Sequence, residues 1–212
     1  MTKPTNYDLN VFINCAFDPE FTPFFRAIVF TILDCGYIPR CAMEVDDGHQ
    51  NRIDKIFKII GDCRFGIHDI SRTELDKKNK LPRFNMPLEL GMYLGAPVFG
   101  KPLQRKKICM IMDKDRHRYQ KFISDIAGKD IKSHGGKPMN AITEVRDWLR
   151  NNTTDEIKLP GPITVRNHFK RFSKEFPATC RKVGVDPKKV QFKELVVFVE
   201  EWLKENVPVL AP

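Results

Sequence analysis

Apolar residues follow two rhythms along this chain of 212 residues, and the rhythms alternate. Short unbroken runs at Asp8–Ala16 (DLNVFINCA), Tyr37–Met43, Arg64–Ile70 and Lys106–Asp113 (KKICMIMD) are rich in β-branched and aromatic residues and have the length of buried strands. Between them the apolar positions recur every three or four residues. Glu20–Cys35 carries Phe24, Phe25, Ile28, Val29, Ile32 and Leu33 and stops at Gly36; Asn51–Cys63 carries Ile53, Ile56, Phe57 and Ile60. Both read as amphipathic helices. A helix capped by Asn85 or Met86, with Pro87 in its first turn, follows the third strand. Farther on come a short helix over Tyr119–Ala127, a short strand over Ile131–His134, and a helix over Asn140–Asn151 with Ile142, Val145, Trp148 and Leu149 on one face. The β-α-β-α-β order predicts an α/β fold with a mostly parallel sheet of about five strands and flanking helices, of the flavodoxin or Rossmann kind.

The rhythm changes after residue 152. Asn152–Pro162 has the Pro, Gly and polar content of a boundary. Beyond it the apolar residues keep helical spacing, from Ile163, Val165, Phe169, Phe172 and Phe176 to Phe192, Leu195, Val199, Trp202 and Leu203. The chain is therefore expected to divide into an α/β domain at 1–152 and a small helical appendage at 163–212. Arg166, His168, Lys170, Arg171, Lys174, Arg181 and Lys182 interleave with the aromatics, as in nucleic-acid-binding helices. The phenylalanine spacing is better explained by a packed face with cations on the solvated side, so a packing or homo-oligomer-forming module is expected and nucleic acid is disfavoured.

Composition narrows the class. With 42% hydrophobic and 30% charged residues the chain has a globular balance, and no apolar run is long enough to cross a bilayer. Its first residues, MTKPTNYDLN, lack a basic region followed by an apolar core, so a cytoplasmic protein with no membrane partner is expected. Six cysteines show no zinc-like spacing and mostly lie inside apolar segments; they read as reduced core thiols. A formal net charge of +9 favours anionic ligands without naming one. Gly135-Gly136-Lys137 lacks the surrounding framework of a phosphate loop. The acids and His49 of Glu44–His49 are typical of a turn; no metal is expected.

Chemistry concentrates in Arg64–Pro97, RFGIHDISRTELDKKNKLPRFNMPLELGMYLGAP. The strand delivers Asp69, Ser71 and Arg72 at its carboxyl end, where open α/β sheets bind ligands. A polar, Lys-rich loop over Thr73–Phe84 is suited to closing over a bound molecule. Glu89 is expected in the first turn of the next helix, where the helix dipole favours its ionised form. Gly91, Gly95 and Gly100 then allow close approach to a sheet or ligand. An anionic Glu facing an Asp and an Arg could stabilise a developing positive charge. Glu89 could equally complement the dipole alone, and Asp69 brace a turn.

The pairing of "IHDIS" with "PRFNMPLELGMYLGAP" resembles the nucleoside 2-deoxyribosyltransferase-like and TIR-like superfamily, in which a strand, an Asp, a loop Asn and then E-L-G recur. The resemblance spans about 150 residues loosely and these two motifs closely. It implies an enzyme that cleaves the N-glycosidic bond of a nucleotide or nucleoside, with NAD a candidate substrate and no cofactor. Glu89 would be the carboxylate that attacks or stabilises the anomeric carbon. Asp69 would orient the base or a ribose hydroxyl, and Asn85 would hold a sugar hydroxyl. The loop after the first strand would line the pocket with Asn14, Phe17 and Asp18, whose local alternatives are core packing and helix capping. Arg72 and Arg83 would meet phosphate. The alternative is a nucleotide-sensing or TIR-like interaction module without turnover.

Overall fold

The computed structural model describes residues 6–75, 80–153 and 158–208. In chain order it contains a helical turn α1 (Asn6–Leu9), β1 (Asn10–Asn14), α2 (Thr22–Asp34), β2 (Ile38–Cys41), α3 (Arg52–Gly61), β3 (Phe65–Asp69), α4 (Asn85–Phe99), β4 (Ile108–Asp113), β5 (Ile131–Ser133), α5 (Pro138–Asn151), α6 (Pro162–Lys182) and α7 (Phe192–Asn206). The strands form one parallel sheet in the order β2-β1-β3-β4-β5. The expected α/β architecture is present. Val11–Asn14 run beside Phe65–His68, Phe65–Asp69 beside Ile108–Met112, and Ile111–Asp113 beside Ile131–Ser133. Every residue of β1 and β3 is buried, the pattern of a parallel sheet rather than of a half-solvated one.

The strand order reverses direction between β1 and β3, so the crevice of this topology opens where Asn14 and Asp69 end their strands. Three further loops leave the same edge, after Cys41, Asp113 and Ser133. Helices α3 and α4 pack on the strands through Phe12, Ile56, Ile59, Ile60, Cys63 and Tyr93. A second cluster joins Ile70, Leu90, Ile111, Tyr119, Ile126 and Ile131. All six cysteines are free and five are buried.

Close approach of helix to sheet occurs at Gly66, not at the glycines of α4. A Cβ at Gly66 would stand 2.6 Å from Tyr93 Cζ, whereas Gly91 faces open space and Gly95 meets only the ring of Phe99. Tyr93 cannot retreat easily, because its hydroxyl donates to Arg64 O at 2.7 Å and Ile108 O at 3.2 Å. Two local expectations are also corrected. The Tyr119–Ala127 helix is a pair of 3-10 turns, Arg118–Lys121 and Ser124–Ile126, since its apolar residues serve the core from an irregular path. Glu89 is the fifth residue of α4 rather than part of its first turn, because the helix begins at Asn85 after an N-cap at Phe84.

By packing, the chain divides into two compact units, one made of residues up to 22 with 40–137 and the other of residues 23–39 with those from 138 onward. Composition suggests a boundary at Asn152–Pro162, while packing groups the described residues from 138 onward with 23–39. Residues 76–79 of the expected closing loop and 154–157 of the expected boundary lie outside the described residues.

The second unit has an aromatic centre. Phe30 of α2 meets Phe169, Phe172 and Trp202 at centroid distances of 5.5, 5.2 and 5.8 Å. Ala27, Ile142 and Val165 extend this core into α5 and α6. Trp202 Nε1 donates to Glu175 Oε2 at 2.6 Å, and His168 Nδ1 stands 3.0 Å from Asp34 Oδ2. Lys170, Lys174, Arg181 and Lys182 are exposed, and Arg171 lies over the Trp202 ring. The interleaved phenylalanines and cations of α6 thus separate into a packed face and a solvated one. Among the described residues no helix is long and apolar enough to cross a membrane.

Candidate active site

The strand ends of the first unit carry a set of buried polar side chains. Asp69 closes β3 and is 1% exposed. Its Oδ1 accepts the backbone N–H of Ser71 at 3.0 Å and the Ser71 hydroxyl at 2.5 Å, an Asx turn that shapes the chain leaving the strand. Its Oδ2 stands 3.1 Å from His134 Nε2, just beyond β5. Gly136 donates its N–H to His134 Nδ1 at 3.1 Å, so the neutral ring carries its proton on Nε2, the nitrogen beside Asp69. Gly135 and Gly136 have φ of +57° and +69°, a left-handed pair that turns this N–H back onto the ring. The glycine pair therefore fixes a histidine and its tautomer.

Asp113, at the end of β4, receives Arg118 Nε at 2.8 Å and the Lys114 N–H at 2.6 Å. Burial pushes its carboxyl above the ordinary range while Arg118 pulls it back. Arg118 also donates to Ile70 O at 2.9 Å and Ser71 O at 3.0 Å, so it laces two strand ends together. Arg118 is therefore an internal clamp.

Glu89 has a different setting. It is 5% exposed and lines a pocket of about 140 Å³ with Arg52, Ile53, Ile56, Asn85, Leu88 and Met92. Three of the walls are aliphatic and one is a methionine. Burial raises the Glu89 carboxyl above its usual value, and the Arg52 guanidinium, 3.9 Å from Oε1, partly offsets that. Drug-sized ligands occupy roughly 300–1,000 Å³. At this size the pocket has room for about a single ring.

Asp18, Arg72 and Arg83 come together, with Arg72 Nη2 at 3.3 Å and Arg83 Nη1 at 2.5 Å from Asp18 Oδ2. Asp18 Oδ1 accepts the Phe21 N–H at 2.9 Å, which is the turn-capping role that its sequence position also suggested. The Asp18 carboxyl lies below its ordinary value: burial raises it, but the Phe21 N–H and the two guanidiniums outweigh that. Asn14 is buried, and its amide nitrogen donates to Met86 O at 2.8 Å and faces His68 Nδ1 at 3.0 Å. It ties β1 to β3 and to the first turn of α4. Phe17 is half-buried and Asn85 is exposed at the pocket rim.

Asp69 and Glu89 occupy separate environments, and Asp69 does not line the Glu89 pocket. One buried group senses both. The Cys15 thiol, just past β1, is pushed up by burial first and then by Asp69, Cys41, Glu89 and Asp18. Three of the expected site acids thus lie within electrostatic reach of the end of β1. Sequence reasoning missed Arg52, Ser71's bond to Asp69, and His134. Only the consecutive glycines after His134 signalled a special backbone. His68 was also missed; burial first, and Lys107 second, push it down to about 3, so it stays neutral beneath Tyr93. Among the described residues no group of three or more His, Cys, Asp or Glu could hold a metal ion. In comparisons with protein-family models, curated proteins and solved structures, the chain matches none.

Proposed function

We propose that this protein cleaves the N-glycosidic bond of a nucleotide or nucleoside, with NAD among the candidate substrates. The observation that carries this reading is Glu89: a single carboxylate, withdrawn from water, in a small apolar pocket near the carboxyl edge of a parallel sheet. Cleavage of an N-glycoside passes through a cation-like anomeric carbon, and a fixed carboxylate in low dielectric stabilises that charge or captures the carbon covalently. Glu89 takes this role, and Asn85 at the rim offers an amide to a sugar hydroxyl. Asp69 acts through the Ser71 turn as a positioning residue. The Arg52 guanidinium favours the ionised form of Glu89. Binding in the crevice at the β1/β3 reversal accords with the topology.

The small size of the pocket favours a second reading, a module that holds part of a nucleotide without turnover. One experiment separates the two. Concentrated wild-type protein and Glu89→Gln are incubated with NAD and a panel of nucleosides and nucleotides, and released base is quantified. Base release reduced by about a hundredfold or more in the folded variant establishes the enzyme and its carboxylate. Nucleotide binding by both proteins with no base release establishes the sensing module and removes Glu89 from catalysis.

A further inference from the structure

Two guanidinium groups converge on one oxygen, Asp18 Oδ2, in an arrangement that places an anion between two arginines with the chain itself supplying that anion. Arg72 and Arg83 come from the connection between β3 and α4; Asp18 comes from the loop after β1. The second terminal nitrogen of Arg72 reaches Glu20 at 2.8 Å. Both arginines retain access to water, with side chains 28% and 36% exposed. Asp18 divides its work between its oxygens: Oδ1 caps the Phe21 turn and only Oδ2 faces the arginines. Two cations against Asp18 and Glu20 leave the cluster formally neutral, so in this state it exerts little pull on an external anion.

We infer that Arg72 and Arg83 form a seat for a phosphate or diphosphate group, and that Asp18 fills this seat until such a group displaces it. A phosphate offers three oxygens where Asp18 Oδ2 offers one, so each guanidinium gains a forked contact. Displacement does not undo the turn, because the Phe21 N–H is bound by the other oxygen. The inference deepens the nucleotide reading and rests on it for the identity of the ligand; the seat itself stands on the arginine geometry.

Asp18→Asn separates the two roles, since an amide oxygen still accepts the Phe21 N–H while the charge that occupies the seat is removed. Binding of inorganic pyrophosphate and of ADP is measured by calorimetry at low and moderate salt for wild type, Asp18→Asn, and Asp18→Asn combined with Arg72→Gln or Arg83→Gln. Asp18→Asn is expected to bind pyrophosphate about tenfold or more tightly than wild type, a change equivalent to about one charge-assisted hydrogen bond. Either glutamine substitution is expected to return affinity to the wild-type level or below. Tighter binding of ADP than of pyrophosphate identifies a nucleotide; the reverse identifies a free phosphate compound. Equal affinity of wild type and Asp18→Asn, or a gain that survives both glutamine substitutions, overturns the inference. Should Asp18→Asn fail to fold, Asp18→Ser, which also caps the turn, carries the same comparison. No turnover is measured, so absence of base release in the Glu89 experiment leaves this test intact, and failure here leaves the role of Glu89 standing.

Discussion

Alanine at Gly66 is expected to be far more harmful than its single methyl group suggests. A Cβ there would lie 2.6 and 2.7 Å from two ring carbons of Tyr93 and 2.9 Å from His68 Nε2, inside any tolerable contact. Tyr93 is 1% exposed, is held by a hydroxyl donation shared between two carbonyls, and stacks parallel to Phe12 with centroids 6.3 Å apart. The strain therefore falls on a fixed ring. Overpacking costs about 1–3 kcal/mol, and loosening the hydroxyl's single donation, shared between the two carbonyls, costs about 1 kcal/mol. Reduced freedom of the unfolded chain returns about 0.5–1 kcal/mol, leaving a net loss of about 1–3 kcal/mol. The assay is urea denaturation followed by circular dichroism, which reads the helices and strands of the first unit directly, whereas both tryptophans, Trp148 and Trp202, belong to the second unit. Tyr93→Leu supplies the control. In that background the ring clash is gone and only the contact with His68 Nε2 remains, so Gly66→Ala should cost about 1–2 kcal/mol less than in the wild type, a coupling well above the additive limit. An unchanged midpoint for Gly66→Ala, or the same loss in both backgrounds, refutes the assignment of Gly66 to helix–sheet contact.

Other consequences can be checked directly. Because burial raises the Glu89 carboxyl, the folded state disfavours its ionised form; this cost is absent below the unfolded carboxyl range, grows as pH rises through it, and is constant above the raised value. Glu89→Gln should thus be more stable than wild type at pH 7 and indistinguishable near pH 4 in thermal melts, and base release by wild type should climb over the same interval. Arg52→Gln should displace that climb to higher pH, since it removes the neighbouring cation. His134→Ala removes a buried ring that stands 3.1 Å from Asp69 Oδ2, for an expected loss of about 1–3 kcal/mol in denaturation; Gly136→Ala, forced to φ of +69°, should cost about 1 kcal/mol or more. Phe30→Ala should cost about 3–5 kcal/mol and shift the emission of Trp202, which its ring touches.

Much of the first unit was legible because parallel strands buried on both faces appear as unbroken apolar runs: Val11–Ile13 and Phe65–Ile67 need no partner to be recognised. Helices with a clear three-to-four rhythm were found within a few residues of their ends. The segment 118–126 was not, since Tyr119 and Ile126 reach the core from 3-10 turns whose spacing imitates a short helix. At the candidate site, sequence proximity located Asp69, Asn85 and Glu89, but not the groups that condition them. Arg52 and His134 arrive from distant segments, and nothing local marks either as a neighbour of a carboxylate. Asp18 was assigned to a pocket or a cap, while its two arginine partners lie 54 and 65 positions away. The membership of α2 was equally hidden, because an apolar stripe shows that a helix is covered and not what covers it.

That membership has a bearing on how the chain is made. Phe30 is synthesised early, yet the rings that enclose it, Phe169, Phe172 and Trp202, leave the ribosome much later. During that interval the apolar stripe of α2 has no native partner in its own unit, a state that invites chaperone capture or self-association. Closing so long a loop is also slow compared with forming local helical contacts. Codon choice and temperature during expression should therefore affect the yield of soluble protein more strongly than the stability of the finished molecule would suggest.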